Sequence, residues 1–171
     1  MFVLGISRDT MQSQFRGELI YQAETDVHFP RLTVGQTLLL AAQARTPQNR
    51  IPGVSRLRYA EHLRDVVIAA FGLSHTIDSQ VGNDFIRGVS GGERKRVSIA
   101  EVILTQASVQ CWDNSTRGLD SAAALQFVRT LRLASNLSGA TTAVAVYQAS
   151  QEIYDVSANM TCTKLHIPKS A

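Results

Sequence analysis

The sequence predicts an α/β protein in which helices alternate with strands of a parallel sheet, and a helical region interrupts that alternation. Val109–Trp112 is a short apolar segment with the length of a buried strand, and periodic helices precede and follow it. Thr141–Val146 is β-branched and apolar, and is predicted as a buried parallel strand. Residues of about 33–88 contain helical patterns without strands. Together these observations favour a layered α/β core.

The first part of the chain predicts one strand and two helices. Glu18–Tyr21 is a strand candidate, and the polar stretch Gln22–Pro30 that follows is predicted as a loop. Thr33 and Gln36 have capping-box spacing, which predicts a helix start before Leu38–Ala44. Arg58–Phe71 has one apolar face and is predicted as the second helix, ended by Gly72.

The second part predicts two longer helices around the strand at Val109–Trp112. From Glu93 onward, apolar residues recur every three or four positions, as on the inward face of a helix. Ala122–Leu137 is predicted as another helix that closes near Gly139, whereas Val81–Gly88 is predicted to be irregular.

Composition narrows the class of protein. A chain of 171 residues with 44% hydrophobic and 18% charged residues fits one globular domain. The net charge of +3 gives no reason to expect nucleic-acid binding. The two cysteines, Cys111 and Cys162, lack metal-ligand spacing, and a reducing compartment is expected with Cys111 as a small buried residue. We expect His28, His62 and His75 to lie at the surface.

Two motifs indicate a nucleotide-binding site. Ser90-Gly91-Gly92-Glu93 opens a helix and can direct backbone N–H groups and a hydroxyl at a phosphate. Asp113 ends a predicted strand, where a carboxylate can hold Mg²⁺ through water. No Gly-x-x-x-x-Gly-Lys-[Ser/Thr] phosphate loop occurs in the sequence.

The first motif, from Val89 to Val97, resembles the signature loop of the ABC-type ATPases, which have a P-loop NTPase core with a helical subdomain inserted. The second motif, Cys111-Trp112-Asp113-Asn114-Ser115-Thr116-Arg117-Gly118-Leu119-Asp120-Ser121, resembles the family's Walker B strand and the Leu-Asp loop after it. The resemblance implies that Ser90, Gly91, Gly92, Glu93, Glu24 and Asp120 contact nucleotide, with Glu24 at the Q-loop position, and that Asp113 holds the metal.

The resemblance also implies a division of the chain. Residues 1–32 and 89–155 correspond to a partial α/β ATPase core, 33–88 to the helical subdomain, and 156–171 to a divergent tail. The family's phosphate loop follows a central strand that would lie before Met1, so we expect a truncated cassette whose sheet has unpaired edges and folds marginally. We expect this chain alone to be inactive and not to bind ATP measurably.

Two positions depart from the family pattern. Asn114 stands at the catalytic Glu position and Tyr147 at the switch His position. A carboxamide cannot accept the proton of an attacking water, and a phenol does not titrate near neutrality. The residues of these motifs are similar to those of the first, degenerate cassette of fungal pleiotropic-drug-resistance exporters. This resemblance implies ATP and Mg²⁺ as cofactors, a second cassette and transmembrane domains as partners, and a location at the cytoplasmic face of a membrane.

Alternatives remain for the chain and for single residues. One alternative is that the chain is a non-catalytic, ABC-like interaction or regulatory module that binds no nucleotide. A second alternative, a soluble ABC ATPase of chromosome or repair machinery, is disfavoured. Glu24 is equally a solvated loop carboxylate, and Tyr147 a half-buried residue at a strand end. For Arg94–Arg96 we favour a solvated helix face.

Overall fold

The computed structural model describes residues 2–3, 6–15, 17–50, 52–146 and 150–156. The strands are β1 (Phe2–Val3), β2 (Ile6–Ser7), β3 (Leu19–Gln22), β4 (Val109–Asp113) and β5 (Thr141–Ala145). The helices are α1 (Arg8–Gln14), α2 (Val34–Arg45), α3 (Arg56–Ala70), α4 (Gly91–Leu104), α5 (Ser121–Ser138) and α6 (Gln151–Val156), with a 3₁₀ turn at Ser74–Thr76. Tyr147 and nearly all of the predicted tail lie outside the described residues.

A three-stranded parallel sheet in the order β3-β4-β5 organises the core. Leu19 of β3 pairs with Val109 of β4, which pairs in turn with Thr141 of β5. The α/β class with a parallel sheet is therefore confirmed. β4 pairs with a strand on each side, and β3 and β5 are the outer strands of this sheet among the described residues. The expectation that strands beside a missing one have unpaired edges stays a prediction.

The prediction that Thr141–Val146 is a buried strand is only half correct. The strand forms, but Thr142 is the one residue of β5 that is even half-buried, and Val144 is 36% exposed. β5 lies at the edge of this sheet, and an apolar parallel strand becomes fully buried only when layers cover both of its faces. Cys111 of β4 is likewise half-buried and not fully enclosed.

Helices α2, α3 and α4 pack against one another, and α5 covers Trp112 of β4. As predicted, Thr33 and Gln36 form a capping box that starts α2. Gly139 ends α5 with a left-handed φ of 71°, also as predicted. The buried core is formed by apolar side chains from these helices, from β4 and from the turn after α3, including Leu38, Leu73, Val97, Ile99, Trp112 and Phe127.

Hairpin β1–β2, α1, the 3₁₀ turn and α6 were not predicted from the sequence. The first two strands have two residues each, α1 has seven, the 3₁₀ turn three and α6 six, so each is shorter than the stretch in which an apolar period can be recognised. Elements this short are determined by the contacts around them.

The contact between Trp112 and Phe127 yields a stability prediction. Their rings meet edge to face with centroids 5.1 Å apart, and Phe127 is 1% exposed. We expect Phe127→Ala to lower the free energy of unfolding by about 3–5 kcal/mol, through lost burial and the cavity left behind. Urea unfolding followed by the fluorescence of Trp112, the single tryptophan, measures this change.

Leu133→Ala on the same helix is the matched control, because Leu133 is 59% exposed. Its free energy of unfolding should stay within about 0.5 kcal/mol of that of the unaltered chain. Equal effects of the two substitutions would show that α5 does not pack on β4 in solution.

Candidate nucleotide-binding site

Several of the predicted site residues lie close together where β3 and β4 end and α4 begins. A cleft of about 440 Å³ is lined by the signature glycines Gly91 and Gly92 and by residues of two loops. Glu24 comes from the loop after β3, and Arg117 and Gly118 come from the loop after β4. Parallel strands present their carboxyl ends at one edge of the sheet, which brings these loops together.

A neighbouring cleft of about 630 Å³ lies on the other side of Glu24. Asn114, Thr116 and Ser121 line it, and Glu24, Arg117 and Gly118 border both clefts. Arg117 was not predicted as a site residue, although it lies inside the second motif. A basic residue in a loop carries no spacing signal, so only the fold reveals its position.

A capping box shapes the signature loop. Ser90 is the N-cap of α4, and its backbone N–H donates to Oε2 of Glu93 at 2.8 Å. The Ser90 hydroxyl in turn accepts a hydrogen bond from the backbone N–H of Glu93 at 3.3 Å. Nε2 of His75, from the 3₁₀ turn, lies 2.9 Å from Oε1 of Glu93. The carboxylate predicted to face nucleotide is therefore engaged within the chain.

The protonation equilibrium of Glu93 reflects these contacts. The Ser90 backbone N–H, the Ser90 hydroxyl and His75 lower the pKa of Glu93 from 4.5 to about 2. Hydrogen-bond donors stabilise a carboxylate over the protonated acid, so the charged form is favoured in the folded chain. A negative charge in the first turn of α4 also interacts favourably with the helix dipole.

The two signature glycines are not required by this chain's own packing. A Cβ added at Gly91 would meet no atom within 4 Å, and one at Gly92 would meet only the Gly118 carbonyl oxygen at 3.8 Å. Neither glycine has a left-handed φ. Both glycines line the cleft of about 440 Å³, and among the described residues their backbone N–H groups donate no hydrogen bond, so a phosphate could approach them closely.

Asp113 lies at the end of β4, as predicted for a metal-holding carboxylate. The Tyr21 hydroxyl at the end of β3 donates a hydrogen bond to its Oδ2 at 2.7 Å. Accepting that bond, Asp113 raises the pKa of the Tyr21 phenol. Tyr21 was not predicted as a site residue; the parallel register that pairs it with Cys111 brings its hydroxyl to Asp113.

Asp113 is suited to be one of several ligands of a Mg²⁺ ion. Within the described residues no cluster of three or more His, Cys, Asp or Glu side chains could hold a metal ion. Mg²⁺ in nucleotide sites is typically held by one or two carboxylates, with phosphate oxygens and water completing the octahedron. Asp113 could supply such a carboxylate, and the remaining ligands would come from a nucleotide and solvent.

Asn114 adopts an uncommon backbone conformation. Its φ is 45°, in the left-handed region, and its backbone N–H donates to the Ala145 carbonyl oxygen at 3.0 Å. Asn tolerates this region better than Glu, because its short amide can bond locally. Asn114 is thus a residue that suits the strained turn after β4.

Two further predicted carboxylates have partners inside the chain. Glu24 forms an ion pair with Arg117, and this guanidinium lowers the pKa of Glu24. Asp120 is the N-cap of α5, where its Oδ1 accepts from the Ala123 backbone N–H at 2.6 Å. The prediction that both contact nucleotide stays a prediction, and the contacts described here are structural.

Two expectations about surface residues are wrong. His28 is buried, with a side chain 2% exposed between Ser98 and Glu101, whereas His62 and His75 are exposed as expected. Lys95 of the Arg94–Arg96 run is buried and points back to the loop after β3. Both buried groups make contacts between segments about 70 residues apart, which helical periodicity cannot predict.

A family model for the ABC transporter domain matches residues 5–117. This chain belongs to the ABC transporter family. It is 68% identical over 152 residues to the ABC-type transporter eriD of Hericium erinaceus, a match that covers 89% of this chain and 10% of that protein. The ABC multidrug transporter A-2 of Aspergillus fumigatus is 67% identical over the same coverage, and the opaque-specific ABC transporter CDR3 of Candida albicans is 59% identical.

Membership confirms the resemblance to the ATP-binding cassettes of fungal drug exporters and the P-loop NTPase class of the α/β core. ABC transporter ATPase domains in general use a nucleotide and Mg²⁺. The chain spans about a tenth of the length of the curated relatives that it matches. None of the helices in the described residues combines the length and hydropathy needed to cross a bilayer.

The lowered pKa of Glu93 predicts how stability depends on pH. The stabilisation from its carboxylate is present above the unfolded pKa of about 4.5 and is lost as the pH falls toward the folded value of about 2. We expect Glu93→Gln to lower the free energy of unfolding at pH 7 by about 0.5–2 kcal/mol, the range for a helix cap. The difference should shrink between pH 4.5 and pH 2.

Denaturant unfolding of both chains across this pH range makes the comparison. Glu61→Gln on α3 is the control, because no hydrogen bond or ion pair of the Glu61 carboxylate occurs among the described residues. A Glu93→Gln difference that stays constant with pH would contradict the capping role of the carboxylate.

Proposed function

We propose that this chain is the signature-loop part of an ATP-binding cassette in a fungal drug exporter. Ser90, Gly91 and Gly92 would close on an ATP molecule held by the second cassette of the same transporter. The partners would be that cassette and the transmembrane domains, and the site would lie at the cytoplasmic face of a membrane. The relatives named as multidrug transporters support this proposal.

The open space at the signature glycines is the observation that carries the proposal. Glycine destabilises a helix by about 0.5–1 kcal/mol relative to alanine. Gly91 and Gly92 lie in the first turn of α4 with ordinary φ and no crowding at Cβ. Packing within the chain therefore gives no reason for two glycines, whereas close approach of an external phosphate to the backbone N–H groups does.

The chain's own site would be catalytically weak. Asn114 cannot take a proton from water, and Glu24 is already paired with Arg117. We propose that Asp113 would assist Mg²⁺ binding at that site, and that Asn114 and Tyr147 take the positions of the catalytic Glu and the switch His. We also propose that residues 33–88 form the helical subdomain, with 1–32 and 89–155 forming the core.

The proposal predicts that Gly91→Asp abolishes activity without affecting folding. An Asp at this position sits in the first turn of α4, where its charge suits the helix dipole and no atom obstructs it. In a full-length exporter that contains this segment, the new carboxylate would repel the γ-phosphate. We expect ATPase activity to fall about a hundredfold or more, with drug transport lost and protein level normal.

Leu57→Asp is the matched control. It adds the same charge to the first turn of α3, at an exposed position away from both motifs. Its ATPase activity and protein level should equal those of the unaltered transporter. Normal ATPase activity in Gly91→Asp would refute the proposed contact, and would favour the alternative of a module that binds no nucleotide.

The proposal also predicts that Asn114→Glu will not restore hydrolysis at this cassette's own site. The left-handed φ of 45° disfavours Glu, at a cost of about 1 kcal/mol. Catalytic groups act as a unit, so one added carboxylate recovers little. The measurement is the ATPase activity of a full-length exporter in which the second cassette's catalytic Glu is replaced by Gln.

Asn114→Gln is the control, since it imposes the same backbone strain without a carboxylate. Both variants should show the same residual turnover. Recovery of a substantial fraction of normal turnover in Asn114→Glu alone would show that this site lacked only one residue.

A further inference from the structure

The loop between β3 and α2 contacts α4 through several of its residues. From Tyr21 to Phe29 the burial of its residues alternates, with every even-numbered residue partly buried and every odd-numbered one exposed. Glu24, Asp26 and His28 each contact α4, so this side of the segment lies against the helix.

Three residues of α4 contact this side of the segment. Lys95, Ser98 and Glu101 are spaced three residues apart, so they form one polar stripe along the helix. Nζ of Lys95 donates to the Glu24 carbonyl oxygen at 2.8 Å and lies 3.4 Å from Oδ1 of Asp26.

The contacts continue along the stripe in the same direction. The Ser98 hydroxyl donates to Oδ1 of Asp26 at 2.5 Å and lies 2.8 Å from Nε2 of His28. Nδ1 of His28 is 3.0 Å from Oε2 of Glu101. Each turn of α4 thus holds the next inward residue of the 24–28 segment.

Lys95 makes the contact nearest to the nucleotide motifs. It is 4% exposed, and a buried ammonium is tolerated only when it is paired and hydrogen-bonded. Its partners are both in the 24–28 segment, so the charge is stable only while that segment stays in place. Lys95 lies about one helical turn beyond Gly91, and both residues line the same cleft.

We propose that Lys95 is a positioning residue that holds Glu24 in register with the signature loop, so that the 24–28 segment and the start of α4 move as one unit. A displacement of Glu24 would then shift Ser90, Gly91 and Gly92. A displacement of these three residues would likewise shift Glu24. The effect on turnover rests on the proposed function together with the nucleotide contact that the sequence predicts for Glu24. The attachment itself can be tested on the chain alone.

Cleavage by a glutamyl endopeptidase tests the attachment. The bond after Glu24 can be cut only when the 24–28 segment leaves α4, whereas the bond after Glu61 reports the opening of α3. We expect Lys95→Met to raise the ratio of cleavage after Glu24 to cleavage after Glu61 about ten- to hundredfold, as for one lost hydrogen bond from a charged donor. A global loss of stability would raise both rates and leave the ratio unchanged.

Arg94→Met is the matched control, since it removes a charge from the neighbouring, half-buried position of the same helix. Its ratio should stay within about twofold of the unaltered chain. Asp26→Asn removes the carboxylate that Lys95 and Ser98 share, and should raise the ratio even if Lys95→Met does not fold. An unchanged ratio in the folded variants overturns the proposal.

ATPase activity of a full-length exporter that contains this segment tests the consequence. If Lys95 acts through Glu24, the double variant Lys95→Met, Glu24→Ala should lose no more turnover than the more severe single variant. Fold-losses that multiply in the double variant overturn the positioning role. Unchanged activity in Glu24→Ala contradicts the predicted nucleotide contact of Glu24, and a raised cleavage ratio then still supports attachment by Lys95.

Discussion

The parallel pairing of β4 with strands on both of its sides is the constraint on which the rest of this structure depends. Val109 pairs with Leu19 on one side and with Thr141 on the other, so the three strands end at the same edge. That edge receives Asp113, the turn at Asn114 and the loop that contains Glu24. Trp112 anchors the arrangement by packing its buried ring on Phe127 of α5.

Acidic residues near this edge form hydrogen bonds and ion pairs within the chain itself. Glu93 closes the capping box of α4, Asp120 caps α5, and Glu24 pairs with Arg117. A carboxylate that already accepts hydrogen bonds within the chain is held in place and is less free to accept others. What faces open space at the start of α4 is backbone N–H, which suits an anion.

Polar contacts within the chain also join the loop after β3 to α4. A buried lysine and a buried histidine on this interface would each be costly if the other segment moved away. Their partners come from the facing segment, so loop and helix stabilise each other. A helix that presents bare N–H groups at one end is thereby tied, one turn later, to the loop that carries Glu24.

Local signals in the sequence were sufficient for most elements. The capping box at Thr33, the glycine stop at Gly139 and the apolar period of α4 each depend on residues only a few positions apart, so they can be recognised without the fold. The placement of Asp113 at a strand end follows in the same way. The parallel sheet was predictable because strands and helices alternate along the chain.

By itself, then, the sequence determined the α/β class, the two motifs and their family, because these depend on patterns among near neighbours. Only the tertiary structure decided that β5 pairs directly with β4, that His28 and Lys95 are buried, and that Tyr21 and Arg117 reach the predicted site. The contacts of these four side chains join residues about 70 or more positions apart. The stabilisation from these contacts depends on which loops the sheet brings together, and a local period in the sequence cannot predict that.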